Sequence, residues 1–151
     1  MSKKLIFFCA ALFSLQGAAL IAQEEVTTPS QMKWGSHPAL PEEIKVAALS
    51  GDPTKKELFV LRLKVPAGTK IAPHWHPIDE HVTVLSGSMK VGNGDKFETA
   101  NGIDLPVGSF ISIPAKHHHY AWFPEDSLIQ INDIGPWNIT YINPKDDPRN
   151  K

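Results

Sequence analysis

The sequence contains one cysteine, Cys9, and it lies inside an apolar leader near the amino terminus. Once that leader is removed no thiol remains, so disulfides, thiolate catalysis and thiolate ligation are all excluded from the mature chain. Helix signals are also scarce: 13 prolines and 10 glycines are spread along 151 residues and leave few uninterrupted stretches of 3.6-residue period. No basic cluster follows residue 22, which argues against a nucleic-acid partner. Nor does any later apolar run have the roughly 20 residues needed to span a bilayer. Internal repeats and low-complexity tracts are absent too.

Residues 1–22 have the layout of a secretory signal peptide. Lys3 and Lys4 precede the apolar run Leu5 to Leu15, and small residues follow up to Ala22, just before Gln23, Glu24 and Glu25. Cleavage is expected after Ala22, with Ala19 as the alternative. A retained anchor is the competing reading, but Gln16 and Gly17 interrupt the run early. The mature protein is therefore expected to be secreted or periplasmic and free of the membrane. Without Lys3 and Lys4 it carries 13 basic and 16 acidic residues, a formal charge of −3.

What the mature chain does contain is a series of short β-branched or aromatic runs, each ended by a turn. Residues 44–49 lead into Ser50-Gly51-Asp52-Pro53, and 57–65 alternate until Pro66-Ala67-Gly68. Residues 81–86 stop at Gly87, and 89–91 lead to Asn93-Gly94, a hairpin signal. The runs 109–113, 128–131 and 139–142 complete the series. Many short alternating strands separated by turns indicate a single-domain, all-β sandwich or barrel. The expected organisation is an extended arm over 23–43, a barrel over 44–145 and a frayed polar tail over 146–151.

The histidines are unevenly placed: three fall at 74, 76 and 81, and three at 117, 118 and 119. On an extended segment His74 and His76 share one face while Trp75 points away. Glu80 has the same parity, so one continuing strand, bent at Pro77, would present two imidazoles and a carboxylate to one interior point. Asp79 and His81 would then face outward, with Val82 and Val84 returning to the core. A further histidine from a facing strand would complete a four-ligand metal site with open positions, as suits catalytic rather than structural binding. The plainer alternative is a set of surface histidines on a polar loop.

Residues 68–87 read Gly68, five residues, His74-x-His76, three residues, Glu80, six residues, Gly87. This resembles the first motif of the cupin superfamily at every fixed position. Gly108, five residues, Pro114 and then His119 are similar to the second motif, with Lys116 standing where the family has glycine and Phe123 where it has asparagine. A side chain at a turn with φ > 0 costs on the order of 1 kcal/mol, so the turn at 114–118 is expected to differ from the usual one. Further likeness to small secreted bacterial cupins of unassigned reaction lies in 82–87, 119–122, 135–137 and 141–144.

The resemblance implies a jelly-roll barrel (a double-stranded β-helix) with His74, His76, Glu80 and His119 as metal ligands. His117 shares the parity of His119 and is its rival; His118 is expected to be exposed. The ligand set is compatible with a divalent Fe, Mn, Zn, Ni or Cu ion. Cupins with such ligands include dioxygenases, isomerases and decarboxylases, which implies a metal-dependent, dioxygenase- or isomerase-like enzyme acting on a small organic substrate. A non-catalytic sensor or carrier of a metal or small molecule is the alternative. A third reading, a structural cupin that has lost its metal, is opposed by the presence of all four ligand positions. No further acid or base stands out as catalytic. Tyr120, Trp122, Gln130 and Trp137 are candidates for lining a pocket, though core packing is the favoured role for each aromatic. Barrels of this kind often pair through an edge strand, which makes a homodimer an open expectation.

Overall fold

The computed structural model describes residues 24–151; the leader, with Cys9 and both candidate cleavage positions, lies outside them. Ten strands form: β1 Lys45–Ser50, β2 Leu58–Val65, β3 Lys70–Trp75, β4 Glu80–Ser86, β5 Ser88–Asn93, β6 Ile103–Pro106, β7 Phe110–Ile113, β8 His119–Trp122, β9 Ser127–Ile134 and β10 Thr140–Tyr141. They make two five-stranded sheets, ordered β1-β2-β9-β4-β7 and β10-β3-β8-β5-β6. Every strand pairing is antiparallel. The protein is thus an all-β jelly roll.

Alternation explains the core. In β2, Phe59, Leu61, Leu63 and Val65 are buried while the residues between them are not. The same period places Val82 and Val84 of β4 and Ile129 and Ile131 of β9 inside. Ile71, Met89, Val91 and Ala121 come to the same cluster from the second sheet. Each apolar side chain removed from water at these positions contributes on the order of 1.5–3 kcal/mol. The sheets therefore close around one apolar interior.

Several expectations change in three dimensions. Asn93-Gly94 ends β5 but does not make a tight hairpin, because β5 pairs with β6 from Val91 opposite Ile103 across a long connection. That connection covers the outer face of β8. Tyr120, at an outward position, donates to the Glu98 carbonyl at 2.8 Å and packs on Phe97, with ring centroids 4.9 Å apart. Gly92 makes this possible: a Cβ there would lie 2.2 Å from the Tyr120 ring.

The arm is not merely an appendage either. Gly35 bridges to Val46, and Ala39 and Leu40 are buried in the core. At the other end, the tail expected to fray forms two short 3-10 turns, Pro144–Asp146 and Pro148–Asn150. Arg149 holds it down, donating to the Ile139 carbonyl at 2.9 Å and to Asp147 at 2.7 Å.

Candidate metal centre

His74, His76 and Glu80 do not lie on one strand. His74 belongs to β3 in one sheet and Glu80 opens β4 in the other, with residues 76–79 carrying the chain between them. Pro77 sits in this crossing, so the expected bend becomes a change of sheet. A second irregularity sets the orientation of His74. Ile71 pairs with Ala121 and His74 with His119, so three steps on β3 oppose two on β8. This extra residue is a bulge. It lets Ile71 and His74 face the interior together despite their odd spacing.

His74 and His119 are thus direct cross-strand partners, with ring centroids 4.2 Å apart. The His76 ring lies 5.0 Å from that of His74 and 5.4 Å from that of His119. All three are buried, and one nitrogen from each can be chosen so that the three lie within 4.8 Å of one another. Glu80, also buried, reaches in from the opposite sheet. Its Oε1 is 3.3 Å from His76 Nε2 and its Oε2 is 3.5 Å from His119 Nε2.

The tautomers follow from the backbone. His74 Nδ1 is 2.7 Å from the Ala72 carbonyl, His76 Nδ1 2.8 Å from that of Asn138, and His119 Nδ1 3.0 Å from that of His117. A carbonyl can only accept, so each Nδ1 carries the proton, and a neutral ring then keeps its lone pair on Nε2. Burial lowers the His74 pKa to about 3 and also lowers that of His76, which keeps both rings neutral. Burial resists ionisation of Glu80; its carboxyl is lowered to about 2 through positive charge in the cluster, from His76 first and then His119, a charge that a bound cation would supply where the rings are neutral.

Two acceptors therefore face each other across 3.3 Å, and His76 Nε2 has no hydrogen-bond partner among the described residues. Uncompensated burial of such groups is costly. A cation between them would satisfy both. Three neutral imidazole nitrogens and a carboxylate suit a divalent transition metal, and rings fixed through the second nitrogen are the usual support for such ligation.

The second-motif turn settles the geometry of the rivals. Lys116 adopts φ +62 despite its side chain, so the turn keeps the left-handed conformation and the lysine bears the cost. Its N–H donates to the His76 carbonyl at 2.8 Å. His119 is carried inside, whereas His117 is exposed, with Nε2 3.2 Å from Asn93 Oδ1. His118 pairs with Asp95 at 2.6 Å, away from the centre. Phe123 is buried in the core, and its backbone N–H donates to the Thr69 carbonyl at 3.1 Å.

Of the four pocket-lining candidates, only Trp137 borders the centre. It lines a cavity of about 30 Å³ with His74, His76, Glu80 and His119. Its ring stacks on His76 at 5.5 Å between centroids and 15° between planes. Tyr120 and Trp122 occupy outward positions on β8, stacked on each other at 6.0 Å. Gln130 lies on the outer face of its sheet and accepts from Arg62 Nε at 3.1 Å.

Sequence reasoning missed the surroundings of the centre. Asp133 accepts from both the backbone N–H and the ring Nδ1 of His81, next to Glu80. Its parity with Ile129 and Ile131 was the available signal that this acid turns inward. The Asn138 carbonyl that orients His76 carried no sequence signal, because any residue supplies one.

Comparison with known proteins gives the family. The model of the ChrR Cupin-like domain matches residues 22–138. No curated protein matches the chain. Among solved structures, the chain is similar to a putative acetylacetone dioxygenase from Methylibium petroleiphilum PM1, with 22% identity, 84% of this chain and 86% of that one covered, and a TM-score of 0.62. It is also similar to the polyketide cyclase RemF from Streptomyces resistomycificus, with 18% identity, coverage of 84% and 91%, and a TM-score of 0.61. The DMSP lyase DddQ from Ruegeria pomeroyi DSS-3 gives 17% identity, coverage of 77% and 64%, and a TM-score of 0.61. At these identities the likeness establishes the fold alone, and one fold serves many reactions. Fold, motifs and family model together make this chain a cupin, a member of the ChrR Cupin-like domain family.

Proposed function

We propose that His74, His76, His119 and Glu80 hold one divalent transition-metal ion, and that this ion is the working centre of a metal-dependent enzyme acting on a small molecule. The observation that carries the reading is the fixed tautomer of all three rings: every Nδ1 is directed to a backbone carbonyl, leaving the Nε2 lone pairs beside an ionised carboxylate. On zinc these four ligands would close a tetrahedral site. Three nitrogens and one oxygen leave positions free on ions that prefer five or six ligands. Such an ion supplies Lewis acidity or activation of oxygen when bound. The chain's own residues supply the rest: the carbonyls of Ala72, Asn138 and His117 orient the rings, and apolar walls exclude water.

A putative dioxygenase, a cyclase and a lyase occur among the structures of similar fold. That diversity is consistent with an enzyme but selects no reaction. The proposed place of action is outside the cytoplasm, after loss of residues 1–22; amino-terminal sequencing of the exported protein tests this.

The test of the main reading is metal analysis of protein purified without added ions, followed by oxygen-uptake assays with small phenols, diketones and sugars. About one equivalent of transition metal per chain and turnover of one of these classes is the expected result. Metal without turnover would favour a binding module, and absence of metal would remove the reading.

A further inference from the structure

Each ligand histidine is oriented by a backbone carbonyl, but the three carbonyls are not held alike. That of Ala72 belongs to β3, and that of His117 leaves a turn closed by the His117 N–H on the Pro114 carbonyl at 3.1 Å. The third, from Asn138, accepts from His76 Nδ1 at 2.8 Å and lies between β9 and β10, in a stretch that no strand includes. No ladder fixes it there. A carbonyl that aims a metal ligand from irregular backbone needs tethers of its own.

Tethers are present on both sides. Before Asn138, the Trp137 N–H donates to the Pro53 carbonyl at 2.7 Å. After it, Arg149 of the C-terminal tail donates from Nη2 to the Ile139 carbonyl at 2.9 Å, with a longer contact from Nη1 to Asn138 Oδ1 at 3.4 Å. The two arginine contacts flank the peptide unit whose oxygen accepts from His76. The guanidinium is itself held, with Nε and Nη2 on the two oxygens of Asp147 at 2.8 and 2.7 Å. Asp147 also accepts from the Arg149 backbone N–H at 3.0 Å. A planar fork locked in this way reaches several acceptors at fixed spacing, which a lysine cannot do.

We propose that Arg149 is a positioning residue of the metal centre: by holding the 138–139 peptide it keeps the Asn138 carbonyl on His76 Nδ1, and so keeps Nε2 of that ring facing Glu80. The tail is then part of the support of the site, not only an element that the barrel holds down. The inference rests on the metal reading above and adds a device outside the barrel on which the centre depends. Charge alone would act the other way. A fixed cation repels a second one, so loss of the guanidinium without loss of aim would tighten metal binding.

The test uses the full chain loaded with zinc and labelled with nitrogen-15 at histidine. Wild-type protein should show a slowly exchanging Nδ1–H signal for each ligand ring, and that of His76 is recognised by cross-relaxation with the stacked Trp137 ring. In Arg149→Ala the His76 proton should exchange with solvent about tenfold faster, since its acceptor is freed to move. Those of His74 and His119 should not change. Zinc affinity, read by competition with a chelator, should fall about threefold to tenfold, less than for loss of a group bonded directly to a ligand. Arg149→Lys keeps the charge without the fork and should lie between Arg149→Ala and wild type. Asn150→Ala, which cuts only the contact of Asn150 with Pro144, should match wild type.

Should Arg149→Ala not fold, Arg149→Lys carries the same comparison, with the same selective change at His76 expected. Equal exchange in wild type and variant, or equal acceleration at all the ligand rings, would overturn the inference while leaving the metal centre standing. Tighter zinc binding by Arg149→Ala would overturn it too, because the arginine would then act through charge alone. If Asn150→Ala reproduced the selective effect, the tail as a whole would be the support and the role assigned to Arg149 would fall. Failure of the wild-type chain to take up zinc would overturn the metal reading, and this inference with it.

Discussion

Six of the seven histidines divide into two sets, one buried and one nearer the surface. His74, His76 and His119 are buried, and each gives its Nδ1 proton to a backbone carbonyl. His81, His117 and His118 sit beside side-chain oxygens of Asp133, Asn93 and Asp95 nearer the surface. A carbonyl fixes a tautomer and leaves the other nitrogen a lone pair. Parity separates His118 from His119, whereas the left-handed turn at Lys116 keeps His117 outside although it shares the parity of His119.

The comparison can be broken most forcefully at His76. Replacing it with alanine should cut bound metal to below about a tenth of an equivalent, since a ligand and the stacked partner of Trp137 are lost together; elemental analysis after gel filtration reads this. If His76→Ala retained a full equivalent, the inner set would have no special standing. Glu80→Gln keeps the shape but removes the charge, and should weaken metal affinity about 10–100-fold in competition with a chelator, a loss of the size seen when a supporting group of a metal site is changed.

Acid should act on the buried set without mutation. His74 has its pKa lowered to about 3 by burial, so the unfolded chain binds protons more readily than the folded one below the ordinary histidine value of about 6.5. The stabilisation is complete above that value and is lost as pH falls towards the folded pKa. The slope is about 1.4 kcal/mol per pH unit for each such proton. His37, lowered by burial and then by Arg149, adds in the same direction. Urea midpoints of metal-free protein should therefore drop steadily from pH 6.5 to pH 4. A flat profile would mean that the inner rings charge freely.

Smaller effects are expected at the second-motif turn. Lys116→Gly relieves a left-handed backbone and should raise stability by about 1 kcal/mol, visible as a higher melting temperature. His117→Ala should change stability by less than about 0.5 kcal/mol and leave bound metal as it was. A loss of metal in that variant would restore His117 as the rival of His119.

Much of the centre was readable from spacing. The motif spacing singled out His74, His76, Glu80 and His119, but the single continuing strand expected for the first three is replaced by a change of sheet. Period-two patterning likewise located most strands. Three things were not readable. The chain changes sheets over 76–79, and a bulge before His74 reverses a face; both are backbone events that alternation alone does not encode. The inward turn of Trp137 depends on backbone bonds from the 135–137 segment to Pro53 and Glu57, far away in sequence. Tyr120 is one residue from His119, and that adjacency sends it to the opposite face, so packing is the role it takes.

The crossing between sheets has a mechanical meaning. His74 and His119 are anchored in one layer and Glu80 in the other, so an ion gripped by all of them would act as a rivet through the sandwich. Pulling the layers apart would then require rupture of coordinate bonds as well as separation of apolar side chains. The amides of β3, β4 and β8 should consequently exchange with solvent more slowly in the loaded protein. The barrel would breathe from its far end, where no such fastening exists.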